Sequence, residues 1–108
     1  MTVNYQIRYS PEALEDLRKI FAYIKFDLLN PDAAQRQADA IRKKIYELEL
    51  FPYKYAAVDW EPWKSAGMRK LPVDNYVVYY LINEKTFNVV IIRIFYCGRN
   101  VENIISDK

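Results

Sequence analysis

The chain has 108 residues, 52% hydrophobic and 28% charged, enough for one globular core and too few for two. Sixteen basic residues against fourteen acidic leave a net charge of +2, which excludes the wide basic face of a non-specific nucleic-acid binder. The lack of histidine and a single cysteine exclude Ser-His-Asp and Cys-His catalysis, nearly every zinc site and any intrachain disulfide, so no metal or cofactor is implied.

At the N-terminal end, Val3, Tyr5, Ile7 and Tyr9 alternate with Asn4, Gln6 and Arg8, the pattern of a half-buried strand. Ser10-Pro11-Glu12 then starts a helix, with serine as N-cap, proline at the first helical position and an acid in the first turn. Leu14, Leu17, Phe21, Ile24 and Leu28 predict one apolar stripe along it. Asn30-Pro31-Asp32 repeats the cap chemistry and opens a second helix, striped by Ala34, Ala38, Ile41, Ile45 and Leu48. The short break at Leu29-Asn30 makes the two an antiparallel αα-hairpin, and such a hairpin beside a sheet offers a groove for a partner's amphipathic helix.

Phe51-Pro52 ends the hairpin, and Tyr53 to Ala66 follows without a clean period, a length of loop that often carries function. Within it, Asp59-Trp60-Glu61-Pro62-Trp63-Lys64 sets a carboxylate between two indoles. Desolvation there would raise Glu61 toward the working range of a general base, and the rings could stack on a single-stranded RNA base. The favoured reading is a hydrophobic loop anchored on the core by Trp60 and Trp63.

Gly67 opens a strand from Met68 to Val73. Leu71 and Val73 share the parity of Arg69, so Lys70 is expected on the open face as the better phosphate contact and Arg69 in a structural pair. Asp74-Asn75 turns, Tyr76 to Ile82 returns, and Asn83 to Thr86 turns again. Asn88 to Tyr96 is then almost unbroken in apolar residues, many β-branched, which predicts a central strand buried on both faces. Arg93 interrupts that run and is too costly to bury alone, so it should meet a carboxylate or reach the open face. Gly98 lets the chain turn, and Arg99, near Tyr96 at the tip of a rigid strand, is placed to hold a phosphate or an acidic partner. Val101 to Ser106 reads as a short closing helix.

The order β-α-α-β-β-β predicts a single α+β domain over residues 1–108, an antiparallel αα-hairpin packed on one face of a small twisted, mostly antiparallel four-stranded sheet. The first strand is expected at the edge or beside the last. Ten tyrosines are more than a small core holds with satisfied hydroxyls, so some should lie at an interface. No apolar stretch reaches the roughly 20 residues of a membrane span, the N-terminus shows no signal pattern, and one cysteine fits a reducing compartment. A cytoplasmic protein with no membrane partner is therefore expected.

These segments together resemble the RelE/ParE superfamily, the toxins of type II toxin–antitoxin (plasmid stabilisation) pairs. The resemblance rests on Tyr9-Ser10-Pro11-Glu12-Ala13, Asn30-Pro31, Leu50-Phe51-Pro52, Gly67-Met68-Arg69-Lys70-Leu71, Asn75-Tyr76-Val77-Val78-Tyr79-Tyr80 and Arg93-Ile94-Phe95-Tyr96-Cys97-Gly98-Arg99-Asn100, in that order and covering almost the whole chain. It implies a growth inhibitor held silent by a cognate antitoxin that wraps the hairpin and sheet. One branch of the superfamily cuts mRNA on the ribosome, and its phosphate-clamping arginine follows the tyrosine of the third strand. Here that position is Val77, and the branch's C-terminal tyrosine falls around Ile104 or Ile105. Glu61, Lys70 and Arg99 are the residues that would carry catalysis in that reading. The other branch, ParE-like, poisons DNA gyrase and lacks the nuclease set. The expectation is a ParE-like toxin in which Arg69, Arg93, Tyr96 and Arg99 contact target or antitoxin. A ribosome-dependent mRNA endonuclease is the alternative, and a non-toxic, antitoxin-binding member is the third.

Overall fold

The structure, a computed structural model, describes residues 4–98. In chain order it contains β1 (Gln6–Tyr9), α1 (Pro11–Ala22) running into a π-helical turn (Tyr23–Asp27), α2 (Pro31–Tyr46) closed by a 3-10 turn (Glu47–Glu49), the short α3 (Trp63–Ala66), and the strands β2 (Arg69–Val73), β3 (Tyr76–Asn83) and β4 (Asn88–Tyr96). The sheet order is β1-β4-β3-β2, with β1 parallel to β4 and the other pairs antiparallel. The first strand thus lies both at an edge and beside the last. The expected closing helix over 101–106 lies outside the described residues, as do Val3 and Arg99.

Both helix starts follow their caps. The Ser10 side chain accepts from the Ala13 N–H at 2.9 Å, and the Asn30 side chain from the Ala33 N–H at 3.1 Å, each with proline at the first helical position. In α2 the whole predicted stripe is buried: Ala34, Ala38, Ile41, Ile45 and the following Leu48. In α1 the stripe needs correction. Ala13, Asp16, Leu17 and, in the π-helical turn, Ile24 are buried, whereas Leu14 and Leu28 are exposed. The buried face is rotated toward Asp16, which reaches β4, and beyond Ala22 the wider π register carries the chain out of α-helical phase.

The hairpin packs on one sheet face through Leu71, Val73, Val78, Tyr80, Val89, Ile91 and Ile94. Tyr80 is fully buried there and donates its hydroxyl to the Pro52 carbonyl at 2.7 Å, and burial pushes its phenol up to about 12. The other face is covered by the 58–68 segment: Val58, Met68, Tyr79 and Phe95 form a second cluster with Trp60, Trp63, Val77 and Leu81 against it. β4 is therefore buried on the hairpin face at Val89, Ile91 and Ile94 and on the other face at Phe95. Val90 and Ile92 are only half-buried, so the expected two-face burial is partial. A bulge pairs Tyr79 with Arg93 but Tyr80 with Ile91, making Ile92 the extra residue. Among the described residues no helix is long and apolar enough to cross a membrane.

Candidate functional site

β1 stops at Tyr9, opposite Ile91, leaving the rest of β4 without a strand neighbour on that side. The start of α1 takes over. Ser10 donates its N–H to the Ile91 carbonyl at 2.9 Å and its hydroxyl to the Ile92 carbonyl at 2.8 Å. One turn on, the Asp16 carboxylate accepts the Ile94 N–H at 3.0 Å and grips Arg93 at two points, Nε to Oδ2 at 2.7 Å and Nη2 to Oδ1 at 3.0 Å. The Arg93 guanidinium also lies 4.4 Å from the centre of the Phe95 ring. The Asp16 hydrogen bonds raise the Arg93 pKa above its ordinary value, against the smaller opposing effect of burial. Arg93 thus meets the carboxylate its burial demanded and is held inside the protein. Its partner was not legible as such, because Asp16 sits among Glu12, Glu15 and other polar residues on α1.

Where α1 loosens into its π turn, a groove of about 780 Å³ opens between the hairpin and the ends of β3 and β4. Tyr23, Ile24, Leu28, Tyr76, Ile94 and Tyr96 are prominent in its walls. Tyr76 and Tyr96 meet edge-to-face at 5.6 Å, while Tyr23, Leu28 and Tyr96 are each more than half exposed. Burial, with Tyr96 and Tyr23 nearby, raises the Tyr76 phenol, so this tyrosine stays neutral through the physiological range. The groove combines the aliphatic Ile20, Ile24 and Ile94 with exposed tyrosines and the polar Asp16, Lys19, Gln37 and Asn75, a mixture suited to a protein-binding surface. Tyr23 and Tyr96 are exposed here, while Tyr46 and Tyr53 are exposed elsewhere on the surface.

The opposite sheet face places the remaining predicted residues. Trp60 packs edge-on against Tyr79 at 6.4 Å, and Trp63 joins the same cluster, so the indoles anchor the loop. Glu61 is not the desolvated base that its indole neighbours would allow, and the favoured anchored-loop reading agrees with the structure. Glu61 is exposed, and its carboxylate accepts the Ser65 N–H at 3.0 Å and hydroxyl at 2.8 Å. Those hydrogen bonds hold its pKa below the ordinary carboxylate value. The reason is local: both indoles turn inward onto the sheet cluster, and the carboxylate between them is left in water beside α3.

Lys70 is exposed on β2 and Arg69 is turned to the other side, as parity required. Arg69 donates to the carbonyls of Tyr53 and Tyr55 and lies 5.2 Å from the centre of the Tyr53 ring. Val77 pairs across the sheet with Pro72 and Phe95, and with Lys70 it lines a cleft over the outer strand. Arg99 lies outside the described residues; its predecessors Cys97 and Gly98 leave β4 with the Cys97 N–H bonded to the Asn75 carbonyl at 2.7 Å. The structure therefore separates the candidates: Arg69 and Arg93 are engaged internally, Glu61 and Lys70 are exposed, and Tyr96 lines the groove. Every resolved pKa shift among the described residues moves a tyrosine or arginine up, or Glu61 down, so none brings a group toward neutrality.

Residues 7–101 match the family profile described as the ParE toxin of the type II toxin–antitoxin system, parDE. No curated protein matches the sequence. Among solved structures, the chain is similar to one from a chromosomal ParDE toxin–antitoxin system of P. aeruginosa, with TM-score 0.69 and 19% identity over 85% of this chain and 95% of that one. It is similar to a chain of the RelBE2 toxin–antitoxin complex of Mycobacterium tuberculosis, with TM-score 0.67 and 22% identity over 87% and 99%. It also resembles a mutant E. coli toxin RelE in the free state, with TM-score 0.67 and 14% identity over 94% and 93%. At these identities the structures share the fold.

Proposed function

The chain belongs to the ParE toxin family of type II toxin–antitoxin systems, and on that premise we propose that it is a cytoplasmic growth inhibitor that works by binding DNA gyrase and is silenced by a cognate antitoxin. The observation that carries the binding reading is the state of the sheet face where RNA-cutting relatives keep their catalytic residues. Val77 stands where those enzymes have the phosphate-clamping arginine, and it can neither neutralise a phosphate nor donate a proton. Glu61 is a solvated carboxylate tied to Ser65, with its pKa lowered rather than tuned upward. Losing charge stabilisation at a reacting phosphate typically costs roughly 3–4 kcal/mol of transition-state energy.

The groove between the hairpin and β3/β4 is the place for an amphipathic helix of the antitoxin, its apolar side chains meeting Tyr23, Leu28 and Tyr96. Strand addition at β2 is blocked. The Lys70 N–H, which points away from β3, bonds the Ala56 carbonyl at 3.0 Å, and the next outward position is Pro72, which has no N–H.

Expression without antitoxin tests the function. DNA damage and stalled replication are expected; translation stopping first, with DNA intact, contradicts the gyrase target. The alternative, a ribosome-dependent mRNA endonuclease, is favoured by one feature, the exposed Lys70 beside Val77 in a cleft. Primer extension on ribosome-bound mRNA separates the two, because only the nuclease creates new 5′ ends. Vigorous growth with soluble protein would instead support a non-toxic antitoxin binder.

A further inference from the structure

We propose that the cleft over β2, bracketed by Lys54 and Lys70, docks an extended acidic segment of a protein partner. The inference concerns a different surface from the helix groove and rests on the binding reading of this face, since a nuclease would put RNA in the same cleft.

The backbone around Lys54 is fixed by its neighbours. The Pro52 carbonyl accepts the Tyr80 hydroxyl at 2.7 Å, the Tyr53 and Tyr55 carbonyls accept from Arg69, and the Ala56 carbonyl accepts the Lys70 N–H at 3.0 Å. Arg69 is thus a positioning residue that holds the Lys54 loop down from beneath. Lys54 Nζ lies 5.6 Å from the centre of the Tyr55 ring. The cleft between the lysines measures about 460 Å³ and is completed by Tyr55, Ala56, Pro72 and Val77, with no carboxylate in its lining. The ion pairs among the described residues are Arg18 with Glu15 and Arg93 with Asp16, so neither lysine is neutralised by one. Two exposed lysines flank an apolar floor, and a carboxylate-bearing segment seated there is attracted by both charges.

The floor selects the kind of anion. Ala56, Pro72 and Val77 are aliphatic, and the one aromatic wall, Tyr55, already faces Lys54. Single-stranded nucleic acid needs free aromatic platforms and a longer basic track, which a chain of net charge +2 does not supply here. A peptide alternating carboxylate and apolar side chains matches both rim and floor. Because Pro72 removes the outward N–H, that peptide is held by its side chains and not as an added strand.

The test is an amide-resolved NMR titration of the isotope-labelled full chain with a capped peptide of alternating glutamate and leucine, and separately with a uridine oligonucleotide of equal charge. The peptide should shift the amides of Ala56, Lys70 and Val77, and binding should weaken as salt rises from about 0.05 M to about 0.5 M. Lys54→Glu with Lys70→Glu should weaken binding about tenfold or more, while Lys43→Glu with Lys44→Glu on α2 should leave it unchanged. The neutral pair Lys54→Gln with Lys70→Gln should give an intermediate loss, which separates charge from any effect of reversal on folding. No shift, shifts spread over all the lysines, or a stronger response to the oligonucleotide at these amides would each overturn the proposal.

Discussion

Asp16 and Arg93, 77 positions apart, form a two-point ion pair at 2.7 and 3.0 Å that joins α1 to β4 where β1 gives out. The same Asp16 oxygen that receives Arg93 Nε also receives the Ile94 backbone N–H, so one carboxylate satisfies a strand edge and a charge. This pair ties the hairpin to the sheet beside the groove that Asp16, Ile94 and Tyr96 line.

Removing one partner strands the other. Asp16→Ala leaves Arg93 largely buried without its carboxylate and the Ile94 N–H without an acceptor, at an expected cost of about 3–5 kcal/mol in urea unfolding. The double replacement Asp16→Leu with Arg93→Met, which leaves no charge stranded, should recover part of that loss. Because the Arg93 pKa is raised on folding, its contribution is complete below the ordinary arginine value and fades only as pH rises through the folded one. Stability from this pair should therefore not fall between pH 6 and pH 9 on account of Arg93.

Leu29 occupies the left-handed region at φ 52° and is 82% exposed, so the fold gains little from its side chain. Leu29→Asn should stabilise the chain by about 0.5–1 kcal/mol in the same assay. Phe87 has nearly the same backbone, φ 54°, yet meets Tyr5 edge-to-face at 5.6 Å. Phe87→Asn should therefore gain nothing, since the lost ring contact offsets the relieved strain.

Glu61 titrates below the ordinary carboxylate value because Ser65 donates to its ionised form. Ser65→Ala should move its NMR-detected midpoint upward. Any stability from this contact is present above the unfolded-state pKa and lost as pH falls through the folded one. Glu61→Gln should leave growth inhibition intact; a non-toxic Glu61→Gln protein that still folds would favour the nuclease.

Tyr96 is exposed, apolar in its ring and at the groove rim. Tyr96→Ala should weaken antitoxin binding by about 1.4 kcal/mol or more, a tenfold rise in Kd by calorimetry, beyond the small stability loss from its edge-to-face contact with Tyr76.

The caps, the α2 stripe and the β4 run were legible because each reports a local rule with a single outcome. The α1 stripe was not, since its apolar residues serve two surfaces: Leu17 enters the core, whereas Ile24 and Leu28 line the groove and Leu14 faces out. Periodicity alone cannot divide a core face from a binding face. Arg93 announced its need for a carboxylate, but only the termination of β1 selects Asp16. The state of Glu61 was not legible because flanking indoles in sequence imply desolvation only if all three side chains turn the same way. Lys54 carried no signal, since its placement depends on the Arg69 and Tyr80 hydrogen bonds to a loop distant in sequence.

The most direct test of the binding account is the fate of supercoiled plasmid incubated with purified gyrase and the antitoxin-free protein. Gyrase-dependent linear DNA, prevented by adding the cognate antitoxin, is the predicted result. Intact plasmid, together with fresh 5′ ends on translated mRNA treated with the same protein, would contradict it.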